Sequence, residues 1–187
     1  MRLTWLTTQL VLLTAWSGYL AYSDAKTRRL PNMLTLGGLA VALCAQAGFG
    51  GWGGFLDGLT AAGIVSALFI PLVFIRAAGS GDFKMMAAAA ALIGLRALPL
   101  FLFACSVAGL VVMIVMLCCH QVSGVRLKHY FRCAFDWTYD RAAGKAALPP
   151  KDDKRVSIPF GIAIAIGAVT TVGLVLVMAV AQTTKAT

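Results

Sequence analysis

The sequence predicts an all-α membrane protein with six transmembrane helices, a short fourth helix and a cytoplasmic segment before the last helix. Three observations predict it. The 187 residues are 60% hydrophobic and 12% charged, with a mean hydropathy of +0.85, whereas a soluble domain is roughly 25% charged. The apolar residues fall in six stretches, and a span needs roughly 20 of them. The basic residues gather in alternate connections, the asymmetry that orients membrane proteins.

The whole chain, 1–187, reads as one polytopic domain. The first span covers about 3–22 and ends in Ser23-Asp24-Ala25-Lys26-Thr27-Arg28-Arg29. It is too long for a secretory signal, and a basic segment follows where a small-residue cleavage site would lie, so it reads as a retained helix. Leu30-Pro31-Asn32 restarts the chain, since proline disfavours α conformation before it and suits a first helical turn. The second span is expected at about 33–49, Gly50-Gly51-Trp52-Gly53-Gly54 as a tight connection, and the third span at 55–75.

The fourth span, about 83–95, follows Gly79-Ser80-Gly81-Asp82-Phe83-Lys84. From Asp82 to Arg96 a helix would rise roughly 21 Å, less than a hydrocarbon core of about 30 Å. Asp82 is therefore expected below the membrane surface in a protein-lined or watery cavity, where irregular backbone is tolerated. The fifth span is expected at 98–119, a polar segment at 120–157 and the last span at 158–181. Within the polar segment, Leu127, Tyr130, Phe131, Ala134 and Thr138 recur at helical spacing, as in a helix lying on anionic lipid. Ala142–Pro150 reads as a flexible connector.

Sixteen Lys and Arg stand against seven acidic residues, a net +9. In a soluble protein that excess would suggest nucleic acid; here it orients the chain. Thirteen basic residues lie in the loops 24–32, 76–84 and 120–157, and only Arg2, Arg96 and Lys185 lie opposite. Those loops should be cytoplasmic and both termini periplasmic. The five cysteines form no C-x-x-C pair, so neither a zinc site nor another cofactor is expected.

Ionisable residues near spans are costly and suggest function. Asp57 reads as an interfacial or helix-start acid. Asp24 and Asp82 differ, because both fall on the cytoplasmic side where an apolar helix meets a basic turn. Two carboxyls held close share one proton, so that one can activate water while the other donates to the substrate. The competing reading is a pair of capping acids neutralised by Lys26, Arg28 or Lys84. Gly79 and Gly81 let the backbone take positive φ or approach another group closely. No phosphate-loop pattern accompanies them.

Asp24-(x5)-Leu30-Pro31-Asn32 and Gly79-Ser80-Gly81-Asp82-Phe83-Lys84 resemble the two signature stretches of type IV prepilin peptidases, members of the GxGD aspartyl proteases. Pro159-Phe160-Gly161, opening the last span, adds to the resemblance, which covers the chain in span number and motif order. It implies an endopeptidase that cuts the basic leader from prepilins at the cytoplasmic membrane face. It also implies Asp24 and Asp82 as the catalytic pair, Gly79, Gly81 and Lys84 as the active-site turn, and Pro31, Asn32, Pro159, Phe160 and Gly161 as site-lining residues. Larger relatives carry C-x-x-C pairs in a cytoplasmic insert and also N-methylate the product. Lacking such pairs, this chain resembles the compact peptidases of Flp-type pili, and methyl transfer is not expected.

The resemblance implies prepilins and membrane lipids as partners, and no nucleic acid. Asp136, Asp140, Asp152 and Asp153 are the other cytoplasmic acids and could receive a basic leader; the plainer reading is local pairing, as of Arg132 with Asp136. A reading from another class is a small transporter using Asp24 and Asp82 as a relay. Internal repeats would favour it, and none is visible.

Overall fold

The computed structural model describes residues 2–27, 32–74, 79–119 and 160–185, and the regular structure among them is all helical. The helices are α1 (Arg2–Thr27), α2 (Asn32–Phe74), α3 (Ser80–Ile93), α4 (Leu98–Cys118) and α5 (Phe160–Lys185). The expected segment 120–157, with its surface helix, connector and four aspartates, lies outside the described residues, as do Arg28, Arg29, Pro31, Arg76 and Pro159. The chain divides into two compact units, 1–110 with 159–187, and 111–158. In the second, the described residues are the last turns of α4, whose Val111, Ile114, Val115 and Leu117 are exposed.

In the first unit, α3 is surrounded. Every residue from Met85 to Gly94 is buried, the pattern of a helix that is apolar all round. Five consecutive alanines, Ala87–Ala91, keep it thin, so neighbouring backbones come close. A Cβ on Gly58 of α2 would lie 2.7 Å from the Ala91 carbonyl oxygen. Helix α2 packs chiefly on α3, and α1 chiefly on α5.

Helix α2 reverses on one residue. Gly51 has φ 60 and ψ −149, and the helix resumes at once. The arms then lie side by side, since a Cβ on Gly58 would meet Gln46 Cγ at 3.3 Å and Leu43 Cδ2 at 3.4 Å. The glycine run predicted a longer connection at 50–54; the other four glycine and tryptophan positions are helical. Aromatic rings gather near this reversal. Trp5 meets Phe49 with centroids 4.2 Å apart, and Trp52 stacks on Phe55 at 5.3 Å, as in the belts at membrane interfaces.

By length and composition, three helices among the described residues can cross a membrane: Met33–Pro71, Leu98–Cys118 and Phe160–Thr184. The first is the hairpin. Two expected spans therefore fall short of that measure. Helix α1 carries Thr4, Thr7, Thr8, Gln9, Thr14 and Ser17 among its apolar residues, and α3 has 14 residues. Most of the hydroxyls on α1 bond the carbonyl one turn back, as Thr8 does to Thr4 at 2.8 Å and Thr14 to Leu10 at 2.7 Å, which lets them sit in apolar surroundings.

The blunt end of α3 is held by polar side chains. The Gly94 amide bonds the Ala90 carbonyl at 2.9 Å. Gln46 Nε2 donates to the carbonyls of Ala91 at 3.3 Å and Leu92 at 3.0 Å, and Gln9 Nε2 donates to Leu92 at 2.6 Å. The Leu95 amide donates to Asp57 Oδ2 at 3.1 Å. Asp57 thus binds the turn after α3, a more specific role than the interfacial acid expected of it. Tying α1 to the first arm of α2, Trp16 Nε1 donates to the Leu34 carbonyl at 3.0 Å across Gly38.

The backbone at Gly51 lies where L side chains are strained, and such residues cost about 1–3 kcal/mol. Gly51→Ala should lower stability by that amount in detergent unfolding. Gly53→Ala, a helical position with nothing within 4 Å of its added Cβ, should gain a few tenths to about 1 kcal/mol.

Candidate active site

Asp24 lies on a stripe of α1 that runs Gln9, Leu13, Ser17, Leu20, Asp24, all buried and spaced three or four residues apart, as one helical face requires. The helix continues past the expected end at Tyr22 to Thr27, because no glycine or proline stops it. Asp24 is therefore helical and 8% exposed. It sits in the last turns of α1, where the helix dipole disfavours negative charge. Compensation comes from another helix. The Gly161 amide, in the first turn of α5, donates to Asp24 Oδ2 at 3.1 Å. A Cβ on Gly161 would stand 2.8 Å from that oxygen and 3.2 Å from Asp24 Cβ, so only glycine permits the approach.

Asp82 is held in a parallel way. The motif expected as a turn before the helix is the helix start itself: Gly79 is the N-cap, with φ −73 and ψ 142, and Asp82 lies in the first turn. The Gly79 backbone hydrogen-bonds the Asp82 carboxylate, the return half of a capping box. Its Cβ, if present, would lie 2.8 Å from Asp82 Oδ2. Gly79 thus serves close approach; the glycines with positive φ among the described residues are Gly51 and Gly94. Gly81 and Lys84 are half-buried in α3. Lys84, two residues on from Asp82, occupies a different face of the helix.

The two carboxyls feel one another. Asp82, outside the three long apolar helices, is pushed up from 3.8 to about 6, first by loss of water on burial, second by the negative charge of Asp24, and against the pull of the Gly79 hydrogen bond. Asp24 rests on the start of α5 and Asp82 on the start of α3, and both helix ends favour negative charge. Each carboxyl thus sits at a helix start, where the repulsion between them is partly offset.

Of the remaining candidates, Phe160 is half-buried and Asn32 opens α2, while Pro31 and Pro159 lie outside the described residues. Among the described residues no cluster of three or more metal-binding side chains occurs. An apolar cavity of about 320 Å³, lined by residues including Leu13, Trp16, Leu34 and Gly38, contains neither aspartate and offers no group for chemistry. The reading of ionisable residues alone passed over Gln9 and Gln46, though an isolated amide in an apolar stretch was a visible signal.

The profile of the type IV leader peptidase family matches residues 11–114, a segment that includes both aspartates and both glycines of the Gly-x-Gly-Asp motif. The chain belongs to the type IV leader peptidase family. A prepilin leader peptidase/N-methyltransferase of Neisseria gonorrhoeae is 33% identical over 123 residues, covering 60% of this chain and 42% of the relative. The chain thus matches less than half of that relative's length. No solved structure matches it. Membership of the leader peptidase family, with several long apolar helices, makes this a bacterial membrane protein.

Replacing Asp24 by Asn removes the second cause of the Asp82 shift and leaves the first. The Asp82 pKa should fall from about 6 but stay above 3.8, as carboxyl carbon NMR would read. Because the folded value exceeds the unfolded one, Asp82 contributes stability that is present below pH 3.8 and lost as pH rises through about 6. Thermal unfolding of Asp82→Asn across that window should lack this loss.

Proposed function

We propose that the chain is a membrane aspartyl endopeptidase that removes the basic leader from prepilins, of the Flp-type pilin or pseudopilin class, at the cytoplasmic face of the inner membrane. One observation carries the reading: Asp24 and Asp82, in a leader peptidase family member, lie close enough for the charge of one to raise the pKa of the other.

In this mechanism one carboxylate takes a proton from water as the oxygen attacks the scissile carbonyl carbon. The other carboxyl donates its proton to the carbonyl oxygen. Collapse of the tetrahedral species breaks the C–N bond, and a proton passes to the leaving amine, which restores the one-proton pair. The amides of Gly161 and Gly79 hold the carboxylates in place while protons move. The two roles belong to the pair rather than to either residue. No metal or cofactor is needed by these steps.

The charge asymmetry supports cytoplasmic loops at 24–32, 76–84 and 120–157 and periplasmic termini. That topology puts both aspartates on the side where leaders begin. The lack of C-x-x-C pairs supports peptidase activity without N-methyl transfer.

With a co-reconstituted prepilin, Asp24→Asn and Asp82→Asn should each slow cleavage by about 10²–10⁴-fold, the usual worth of a positioned acid or base. Wild-type rates in either variant would remove the dyad. Since the working pair carries one proton, kcat/KM should decline as pH rises above about 6, the value for Asp82. A flat profile from pH 5 to 8 would contradict the shared proton.

A further inference from the structure

The stripe on α1 that ends in Asp24 begins in Gln9, and these two residues address opposite ends of α3. Asp24 faces Asp82 at its start, and Gln9 bonds the Leu92 carbonyl at its finish. Elsewhere the backbones of α1 and α3 come close at few points. Gln46, from α2, shares Leu92 and adds Ala91. Both glutamines are buried, Gln9 at 4% and Gln46 at 6% exposure.

The packing of α3 gives this contact its importance. Along Ala87–Ala91 five identical small side chains leave sliding or turning by a residue weakly opposed, so the register of α3 is set at its ends, by the buried Met85, Met86, Leu92 and Ile93 and by its polar partners. One residue of slip moves a helix by about 1.5 Å and 100°, and a rigid helix carries that displacement to Asp82. Directional hydrogen bonds distinguish registers where alanines cannot, as single buried polar residues do in coiled coils. An unmatched amide or carbonyl in an apolar setting costs about 1–3 kcal/mol, which separates the right register from its neighbours.

We propose that Gln9 and Gln46 are positioning residues for catalysis: by gripping the Ala91 and Leu92 carbonyls they fix the register of α3 and hence the placement of Asp82 against Asp24. The grip lies at the opposite end of α3 from the carboxyls and touches no reacting atom. The inference rests on the aspartyl peptidase reading for its kinetic arm and on Asp82 itself for its other arm.

The test uses Gln9→Met, Gln46→Met and the double variant, which keep side-chain length and remove the amide. Cleavage of the co-reconstituted prepilin and the Asp82 titration by carboxyl NMR are followed on the same preparations, with folded fraction from thermal unfolding. A misplacement of about 1 Å can cost on the order of 10²-fold. The double variant should therefore lose at least about tenfold in kcat, with KM within about twofold, and its Asp82 titration should move. Each single variant keeps an amide on Leu92 and should lose less, Gln46→Met more than Gln9→Met because it serves two carbonyls. Val172→Ala, a buried change on α5, should lower stability without moving either readout.

A folded double variant with wild-type kcat and wild-type Asp82 titration overturns the inference. A rate loss that matches the loss of folded protein, with the titration unmoved, overturns it too. Should the double variant not fold, the single variants decide by the same two readouts. Full activity in Asp24→Asn or Asp82→Asn would instead overturn the peptidase reading, and the titration arm would still judge the register.

Discussion

Helix α3, 14 residues long and buried from Met85 onward, exposes its last carbonyls to neither lipid nor water, so other parts of the chain must meet them. Much of the described structure can be traced to that requirement. At the start of α3, the Gly79 backbone and the Asp82 carboxylate answer one another. At its finish, Gln9, Gln46, Gly94 and Asp57 take up three carbonyls and the following amide. The glycine at 58 and the five alanines bring α2 close enough for its glutamine to reach. Helix α3 is thus suspended between polar groups at both ends, with a smooth apolar middle.

The same economy of atoms shapes the carboxyl pair. Two negative charges in a half-dry setting repel, and the first remedy is a neighbouring dipole. Helices α5 and α3 both begin at the pair, and each offers a backbone amide through a glycine that a Cβ would block. The glycines are therefore part of the electrostatics. Their missing side chains let the positive ends of two helices come within hydrogen-bond distance of the acids.

Long apolar runs and the order of motifs made the helices legible, since hydropathy marks a stretch that leaves water, whether for lipid or for protein. Asp24 and Asp82 stood out from their settings, an acid beside a basic turn, whereas Gly161 entered only through the resemblance of Pro159-Phe160-Gly161 to the family. Helix ends were less legible. Hydropathy locates where a span stops being apolar, while the helix of α1 runs on to Thr27 because backbone geometry does not need apolar side chains. Gly50–Gly54 looked like a loop because glycine permits one, yet one residue of the five carries the turn. Gln9 and Gln46 stood out only as isolated amides in apolar stretches, and what they bind was not legible. Their partners are main-chain carbonyls on another helix, which leave no trace in residue type.

The reversal of α2 has a mechanical consequence. A connection of one residue stores no slack, so its two arms cannot slide independently or rotate far about their axes. Gln46 sits on one arm and Asp57 on the other, and both reach the far end of α3. The hairpin therefore behaves as a single bracket with two prongs rather than as two tethered rods. Any force that pulled one prong away from α3 would draw the other with it, and a segment inserted at Gly51 would convert a rigid fixture into a hinge.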